Sequence, residues 1–483
     1  MAQLSTPGVY VEEKSMLPPS VAGVATAIPA FIGFTKTQGK REIQPITSLL
    51  EYQSIFGEGN AITCEDGKAK GFEYALYDSI RLFYDNGGGP CYVVSVGKYG
   101  DPVKTDVYTA AIDLLEKQAD VTMLVFPDAA LLFKKATDLA AIQTKALDHC
   151  AKIGGRFTIL DVMMFPTFTE KKKGSGNNPD GTPKADKDET RPADLGDHLS
   201  VFRDGVKNNL CYGAAYYPYL KTTYAKDIPF EEVIKAIPAD IKSDPANAEV
   251  MKEVDAVQKE KDKDLKKLKI NALIPRIPGY AAALEDLQDQ ASVIPPSGAM
   301  AGIYAATDNR VGVWQAPANV GVAAVKDLTT MISDFQQETM NVDPQTAKSV
   351  NAIRYFKGKG ILVWGARTLD GGSNEWRYVP VRRLFSYVEQ SLKLSTFWAV
   401  FQPNDTNTWI KIKCQISNFL STLWRDGAMA GSSPDEAFFV EVGKGVTMTD
   451  DDINNGYLRV RIGIAAVRPA EFIVLEFSHK VNE

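Results

Sequence analysis

Val121-Thr122-Met123-Leu124-Val125-Phe126 is a short run that is largely apolar on both faces of any strand it forms. A half-exposed strand alternates apolar and polar residues, so a run of this kind needs cover on both sides. Similar runs occur at residues 92–96, 157–162 and 214–219. Stretches of helical character, at residues 72–84, 108–118, 131–151 and 195–207, lie around them. Doubly apolar strands separated by helices predict a largely parallel α/β layer.

Two charged stretches interrupt this pattern. Residues 170–194 are low in complexity, with Lys171-Lys172-Lys173 followed by Gly, Asn, Pro and Asp. They carry too little apolar surface to order themselves and read as an exposed loop or insertion. Residues 249–269 have a helical composition, with Val250, Val254, Val257, Leu265 and Leu268 as a stripe broken by Lys261 and Asp264. A surface helix accounts for them better than a coiled coil. Further on, residues 408–427 place Trp409, Ile412, Ile416, Phe419 and Leu423 at helical spacing. Residues 380–399 do the same with Leu384, Val388 and Leu392, and residues 459–464 alternate like a half-buried strand.

The chain has 483 residues, of which 45% are hydrophobic and 24% charged, with a net charge of −6. Its length predicts about three domains. The acidic balance argues against nucleic-acid binding through bulk electrostatics. Five scattered cysteines without a CxxC pair suit a reducing compartment, and three histidines at no ligand spacing give no zinc pattern. No window reaches the ~18 apolar residues of a membrane span, and no secretory signal pattern opens the chain. Gly87-Gly88-Gly89-Pro90 precedes a strand where a phosphate loop should follow one, so it reads as a helix-ending turn. Gly358-Lys359-Gly360 lacks the rest of a P-loop. His149 and Cys150 are adjacent on a helix and point apart, which reads as a bland helix surface. Asp450-Asp451-Asp452 after Thr449 reads as a helix N-terminus. No catalyst and no cofactor emerge. The group Tyr212, Tyr216, Tyr217 and Tyr219 would serve a carbohydrate- or receptor-binding surface protein, the competing function, but its spacing fits a buried strand better.

The ends of the chain are unusual. Thr6-Pro7-Gly8 introduces Val9-Tyr10-Val11, Pro18-Pro19 follows, and residues 21–28 are small and apolar; together they read as an extended arm. Residues 471–479 form a dense apolar strand close to the C-terminus. Thr6-Pro7-Gly8-Val9-Tyr10-Val11-Glu12-Glu13 resembles the opening signature of contractile tail sheath proteins. The resemblance continues through Pro295-Pro296-Ser297-Gly298, Val313-Trp314-Gln315-Ala316-Pro317-Ala318-Asn319, Asn351-Ala352-Ile353-Arg354 and Val363-Trp364-Gly365-Ala366-Arg367-Thr368. It closes with Val381-Arg382-Arg383-Leu384-Phe385, Trp398-Ala399-Val400-Phe401 and Val467-Arg468-Pro469-Ala470-Glu471-Phe472. These blocks cover the N-terminal arm and most of residues 290–480, and the length looks closest to the sheaths of phage-tail-like injection particles.

The resemblance implies a multidomain α/β and α+β chain. An arm (1–30) precedes an outer α/β domain (31–350) with an insertion at about 165–270. A C-terminal α+β core (351–470) and an arm strand (471–483) follow. It implies a homo-oligomer of stacked hexameric rings around an inner tube protein, with baseplate and tail-terminator or cap proteins as further partners. No nucleic acid, membrane insertion or nucleotide hydrolysis is implied. Assembly would take place in the bacterial cytoplasm, within a phage tail or a particle that can be released. The arms would complete sheets in neighbouring subunits through Val9, Tyr10, Val11, Val21, Val24, Phe472, Val474, Leu475 and Phe477. Lys411, Lys413 and Arg425, outside the apolar stripe of residues 408–427, are candidates for meeting an acidic tube; a plain solvated helix face is the competing reading. Arg367, Arg377, Arg382 and Arg383 read equally as ion-pair partners within the core.

Overall fold

A computed structural model describes residues 20–172 and 187–472. They divide into two compact units: residues 25–172, 187–386 and 468–472 form the larger, and residues 20–24 and 387–467 the smaller. The predicted arm residues Val9, Tyr10, Val11, Val474, Leu475 and Phe477 lie outside the described residues.

The larger unit is organised by a nine-stranded sheet. Its strands are β1 (Pro29–Thr35), β2 (Gln44–Ile46), β3 (Cys91–Lys98), β4 (Met123–Val125), β5 (Phe157–Asp161), β6 (Gly213–Tyr217), β7 (Val320–Gly321), β8 (Asn351–Phe356) and β9 (Gly360–Val363). The spatial order is β7-β9-β8-β6-β5-β4-β1-β3-β2. The run β8-β6-β5-β4-β1-β3 is parallel throughout. Antiparallel β2 closes one edge, and β9 with β7 closes the other. The parallel layer predicted from the apolar runs is therefore the centre of a mixed sheet.

Strand β1 is buried at every position and sits inside the sheet. Sequence reading ended the extended arm at residue 30 and assigned no strand to residues 31–35. A proline is tolerated at the first residue of a strand, and that is where Pro29 lies. Ala30, Ile32 and Phe34 enter one core with Leu124 and Leu160; Phe31 enters the opposite one with Met123, Val125 and Ile159. The first core is covered by α2 (Thr105–Leu114), α3 (Ala136–Ile153) and α4 (Leu195–Gly205). The second is covered by α1 (Leu76–Asp85) and α5 (Ser297–Arg310). Gly298 and Gly302 let α5 lie directly on α1: a Cβ there would stand 2.5 Å from Ser79 O and 2.4 Å from Phe83 O.

A third core is separate. Ile228, Val233, Val254, Val257, Leu273, Tyr280 and Leu287 pack together, with Ile62, Cys64 and Ala69 from the hairpin Thr63–Glu65/Lys68–Lys70. The charged stretch within it forms two helices, Ala248–Gln258 and Lys263–Leu273, the second capped by Asp262. Val254 and Val257 are buried, whereas Leu265 and Leu268 face solvent, so the predicted stripe holds for its first half only. The low-complexity stretch also departs from expectation. Its ends pair as an antiparallel hairpin, Thr167–Lys172 with Lys187–Pro192, because a backbone ladder needs no apolar content to form. His149 and Cys150, read as helix surface, are both buried on α3.

Two buried carboxyl groups fix the sheet to its surroundings. The register of β1 shifts between Gly33 and Phe34, and Asp128 Oδ2 accepts the Phe34 N–H at 2.7 Å while Tyr108 donates to Oδ1 at 2.8 Å. A Cβ at Gly33 would lie 2.5 Å from that carboxylate, so the approach requires glycine. Asp161, at the end of β5, accepts the Ser297 N–H at 2.9 Å and so satisfies the first turn of α5. Burial pushes both carboxyls up to about 7. The unfolded value is about 3.9. Between roughly pH 4 and 7 the folded chain therefore holds protons that the unfolded chain has released, and stability falls as pH rises through that window. Buried His149, pushed down to about 4, contributes the opposite slope below its unfolded value of about 6.5. The comparison of Asp161→Asn with the parent isolates the acid term: urea melts from pH 5 to 8 should show a flatter decline in the variant.

Candidate assembly site

The smaller unit contains α6 from Tyr387 onward (the helix as a whole spans Val379–Ser395), α7 (Thr406–Arg425), and strands β10 (Phe438–Val442) and β11 (Val460–Ile464). Asp405 caps α7 by accepting the Thr408 N–H at 2.9 Å, a bond that holds its carboxyl below the usual range. Ile412, Ile416, Phe419, Leu420 and Leu423 form the buried stripe of α7, at the spacing the sequence predicts. Strands β10 and β11 pair antiparallel, with Phe438 opposite Ile464 and Val442 opposite Val460. Phe438, Val440 and Val442 share a face with Val460, Ile462 and Ile464. On the opposite face Glu441 and Arg461 form an ion pair at 3.2 Å, and the half-exposed Phe439 ring lies over Gly463.

Among the described residues, neither outer edge of this two-stranded sheet pairs with another strand. Two strands alone are marginal in water, and an open edge offers its N–H and C=O groups to any added chain. Asp450–Asn454 is a short helix with Thr449 and Asp452 in a capping box, as the acidic run suggested.

The three cations proposed from sequence are not one patch. Lys411 is half-buried, and Lys413 and Arg425 are exposed. At 100° per residue, Lys411 and Arg425 fall within about 40° of each other on α7, with Lys413 roughly on the opposite side. Arg425 Nε also donates to Ser421 O at 3.3 Å.

Both chain ends are anchored in the larger unit by arginines from the sequence blocks noted above. Arg383 makes a bidentate pair with Asp308, at 2.9 and 2.6 Å, with both side chains almost wholly buried. Its guanidinium also donates to Thr26 O at 3.0 Å and lies over the Tyr304 ring. Ile28 N–H donates to Thr122 Oγ1 at 2.7 Å. The chain is thus tied down between Thr26 and Ile28, just before β1. At the other end, Arg367 Nε donates to Glu471 at 2.9 Å, and Tyr378 OH reaches the same carboxylate at 3.4 Å. The partnership with Glu471 raises the already high pKa of Arg367. Phe472, the next residue, is exposed. Val21 and Val24 are half-buried and not in a strand; Val24 N–H donates to Ser391 Oγ at 3.2 Å in the smaller unit.

Chemistry of the catalytic kind is sparse among the described residues. Burial pushes the Cys91 and Cys150 thiols up to about 12, far from a reactive thiolate. Asp113, Glu116 and His149 lie close enough to share an ion, but Lys145 and Lys152 already pair with the two acids. Arg156 donates to His149 Nε2 at 2.6 Å, so three cations surround the position. Tyr216, Tyr217 and Tyr219 are buried, as the strand spacing suggested, and half-buried Tyr212 has the Arg382 guanidinium over its ring at 4.9 Å.

Residues 372–480 match the family model of the phage tail sheath C-terminal domain. The tail sheath protein of Vibrio phage KVP40 is 23% identical over 144 residues, covering 30% of this chain and 21% of that protein. The chain thus aligns with about a fifth of the curated relative's length. Over its full length the chain is similar to solved injection-system sheaths. The PVC sheath complex of an extracellular contractile injection system, in the contracted state, is 28% identical with a TM-score of 0.62, covering 100% of this chain and 99% of that one. The contracted helical sheath of the anti-feeding prophage is 28% identical with a TM-score of 0.61, covering 99% and 100%. The chain is thus similar to contractile injection-system sheaths along its whole length, and residues 372–480 match the phage tail sheath C-terminal domain.

The buried pair at the N-terminal anchor is open to a direct test. Arg383→Ala leaves Asp308 as an unpaired buried charge, which typically costs about 3–5 kcal/mol. Denaturant unfolding of the variant should show a loss of that order.

Proposed function

We propose that this chain polymerises as stacked hexameric rings around an inner tube protein and contracts to drive the tube through a target envelope, without nucleotide hydrolysis. The carrying observation is the β10–β11 sheet, neither outer edge of which pairs with another strand among the described residues, within the stretch that matches the sheath family model. In this reading the sheet is completed by the arms of neighbouring copies: residues 9–24 from one end and 472–479 from the other. Strand addition draws its affinity from the backbone ladder and its specificity from alternate side chains. About five ladder bonds per arm at ~1 kcal/mol each give several kcal/mol per link. Links of that size, several per subunit, hold a polymer together while its folded units move as rigid bodies.

Anchoring supports the assignment of the arms. Arg383 ties the chain at Thr26 and Arg367 ties it at Glu471, so each arm would leave from a fixed root. The inner domain would correspond to the smaller unit, residues 387–467, and the outer one to the larger, since β8 and β9, which the expected boundary at 351 would assign to the inner domain, belong to the nine-stranded sheet of the larger unit. Baseplate and terminator proteins would close the polymer's ends. The assembled particle would form in a bacterial cytoplasm and be a phage tail or a released injection particle. None of the helices described is long and apolar enough to cross a membrane.

Coexpression with the inner tube protein, followed by negative-stain microscopy, should show striated tubes; monomers alone would sink the reading. Deleting residues 1–20 should leave a folded monomer that no longer polymerises, by sedimentation. Reversing charge with Lys413→Glu and Arg425→Glu should weaken tube retention in low salt more than in high salt, since exposed pairs of this kind are screened. An unchanged salt profile would assign both residues to a plain solvated face.

A further inference from the structure

Phe401 has no packing partner among the described residues. Its side chain is fully exposed and its φ is +66°, the left-handed region that disfavours bulky residues. Backbone strain of this kind persists where a contact makes use of it. Leu394, Phe397 and Val400, close to it in sequence, are also exposed.

The loop that carries these side chains is held firmly. Trp398 Nε1–H donates to Gln415 Oε1 at 2.9 Å, and Gln415 Nε2 donates to Ser395 O at 3.0 Å. Gln415 is itself buried on α7, so one amide pins the loop from both sides. Backbone bonds from Ala399 to Thr396, from Val400 to Phe397 and from Gln402 to Ala399 complete the turn. An aromatic pair presented this way loses little freedom on binding.

The larger unit carries a concave counterpart. A groove of about 990 Å³ is lined by Ala316, Ala318, Trp364, Pro469 and Phe472, with Asp334 and Glu338 at its rim. Both acids are exposed. Arg354 and Arg367 line the groove as well and pair with Asp334 and Glu471, which leaves Glu338 as the acid there with no ion pair among the described residues. Exposed Lys393 and half-buried Lys411, before and after the aromatic loop in sequence, are of opposite sign to it.

We propose that the Phe397–Phe401 loop of one copy seats in this groove of a second copy. The inference rests on the polymer reading above and adds to it a side-chain contact distinct from strand exchange. Knob and groove are different surfaces of one chain, so the contact is heterologous and can repeat around a ring or along a helical filament.

A chain with Gln402→Cys, Gln315→Cys and Cys414→Ser keeps both phenylalanines and places thiols at exposed positions beside knob and groove. Treatment of its polymers with a short bismaleimide should yield a ladder of covalent multimers, absent from unpolymerised chain and from either single-cysteine parent. Normal polymers without the ladder would overturn the contact and leave the sheath reading standing. Coupling of the thiol at position 402 to the inner tube would do the same. Failure of the unsubstituted chain to polymerise would overturn both. As a second arm, Phe401→Asn suits the left-handed backbone and removes the ring. Its thermal midpoint should be unchanged or higher, while the critical concentration for polymerisation rises about tenfold or more. An unchanged critical concentration would refute the proposal.

Discussion

The architecture depends on covering β1 from both sides. Its seven residues are all buried, between β4 and β3, with side chains feeding two separate cores. A strand in that position cannot form until the helices above and below it are in place, and it cannot slip in register without exchanging the two cores. The Asp128 carboxylate reinforces this by occupying the irregularity at Gly33 and Phe34. The first strand among the described residues is therefore also among the most constrained.

That constraint shapes what the termini can do. A segment preceding a fully buried central strand cannot drag on it without a stop in between, and Arg383 at Thr26 with Thr122 at Ile28 provides one. Glu471 in the grip of Arg367 plays the same part at the other end. Both arginines are deeply buried and paired, an arrangement that contributes little net stability over apolar packing but defines position well. Fixed positions at Thr26 and Glu471, together with a two-stranded sheet whose outer edges pair with no other strand among the described residues, are what the proposed strand exchange between copies would use.

Sequence reading recovered what repeats locally. The runs at 92–96, 121–126, 157–162 and 214–219 are strands because both faces are apolar, and α7 appears at its expected place because its stripe has helical period. Features set by distant partners were not legible. Asp128 meets Phe34 across 94 residues of sequence, and Arg383 meets Asp308 across 75. Burial of His149 follows from Arg156 and the packing around α3, neither of which the residues next to it announce. Leu265 and Leu268 continue an apolar spacing that the break at residues 259–262 turns outward. For the site, spacing located the cationic helix but not the fact that Lys413 faces away from Lys411 and Arg425. The half-exposed character of β11 could be read from its alternation; that it pairs with β10 alone among the described residues could not.

The third core has a consequence for how the molecule can change over time. Most of its side chains come from one continuous stretch, residues 228–291, and it shares no member with the two cores of the nine-stranded sheet. Substitutions there and in the sheet should combine with little epistasis, since independent sites add. The insertion is accordingly a module whose core can be redesigned wholesale while the packing around the nine-stranded sheet stays the same.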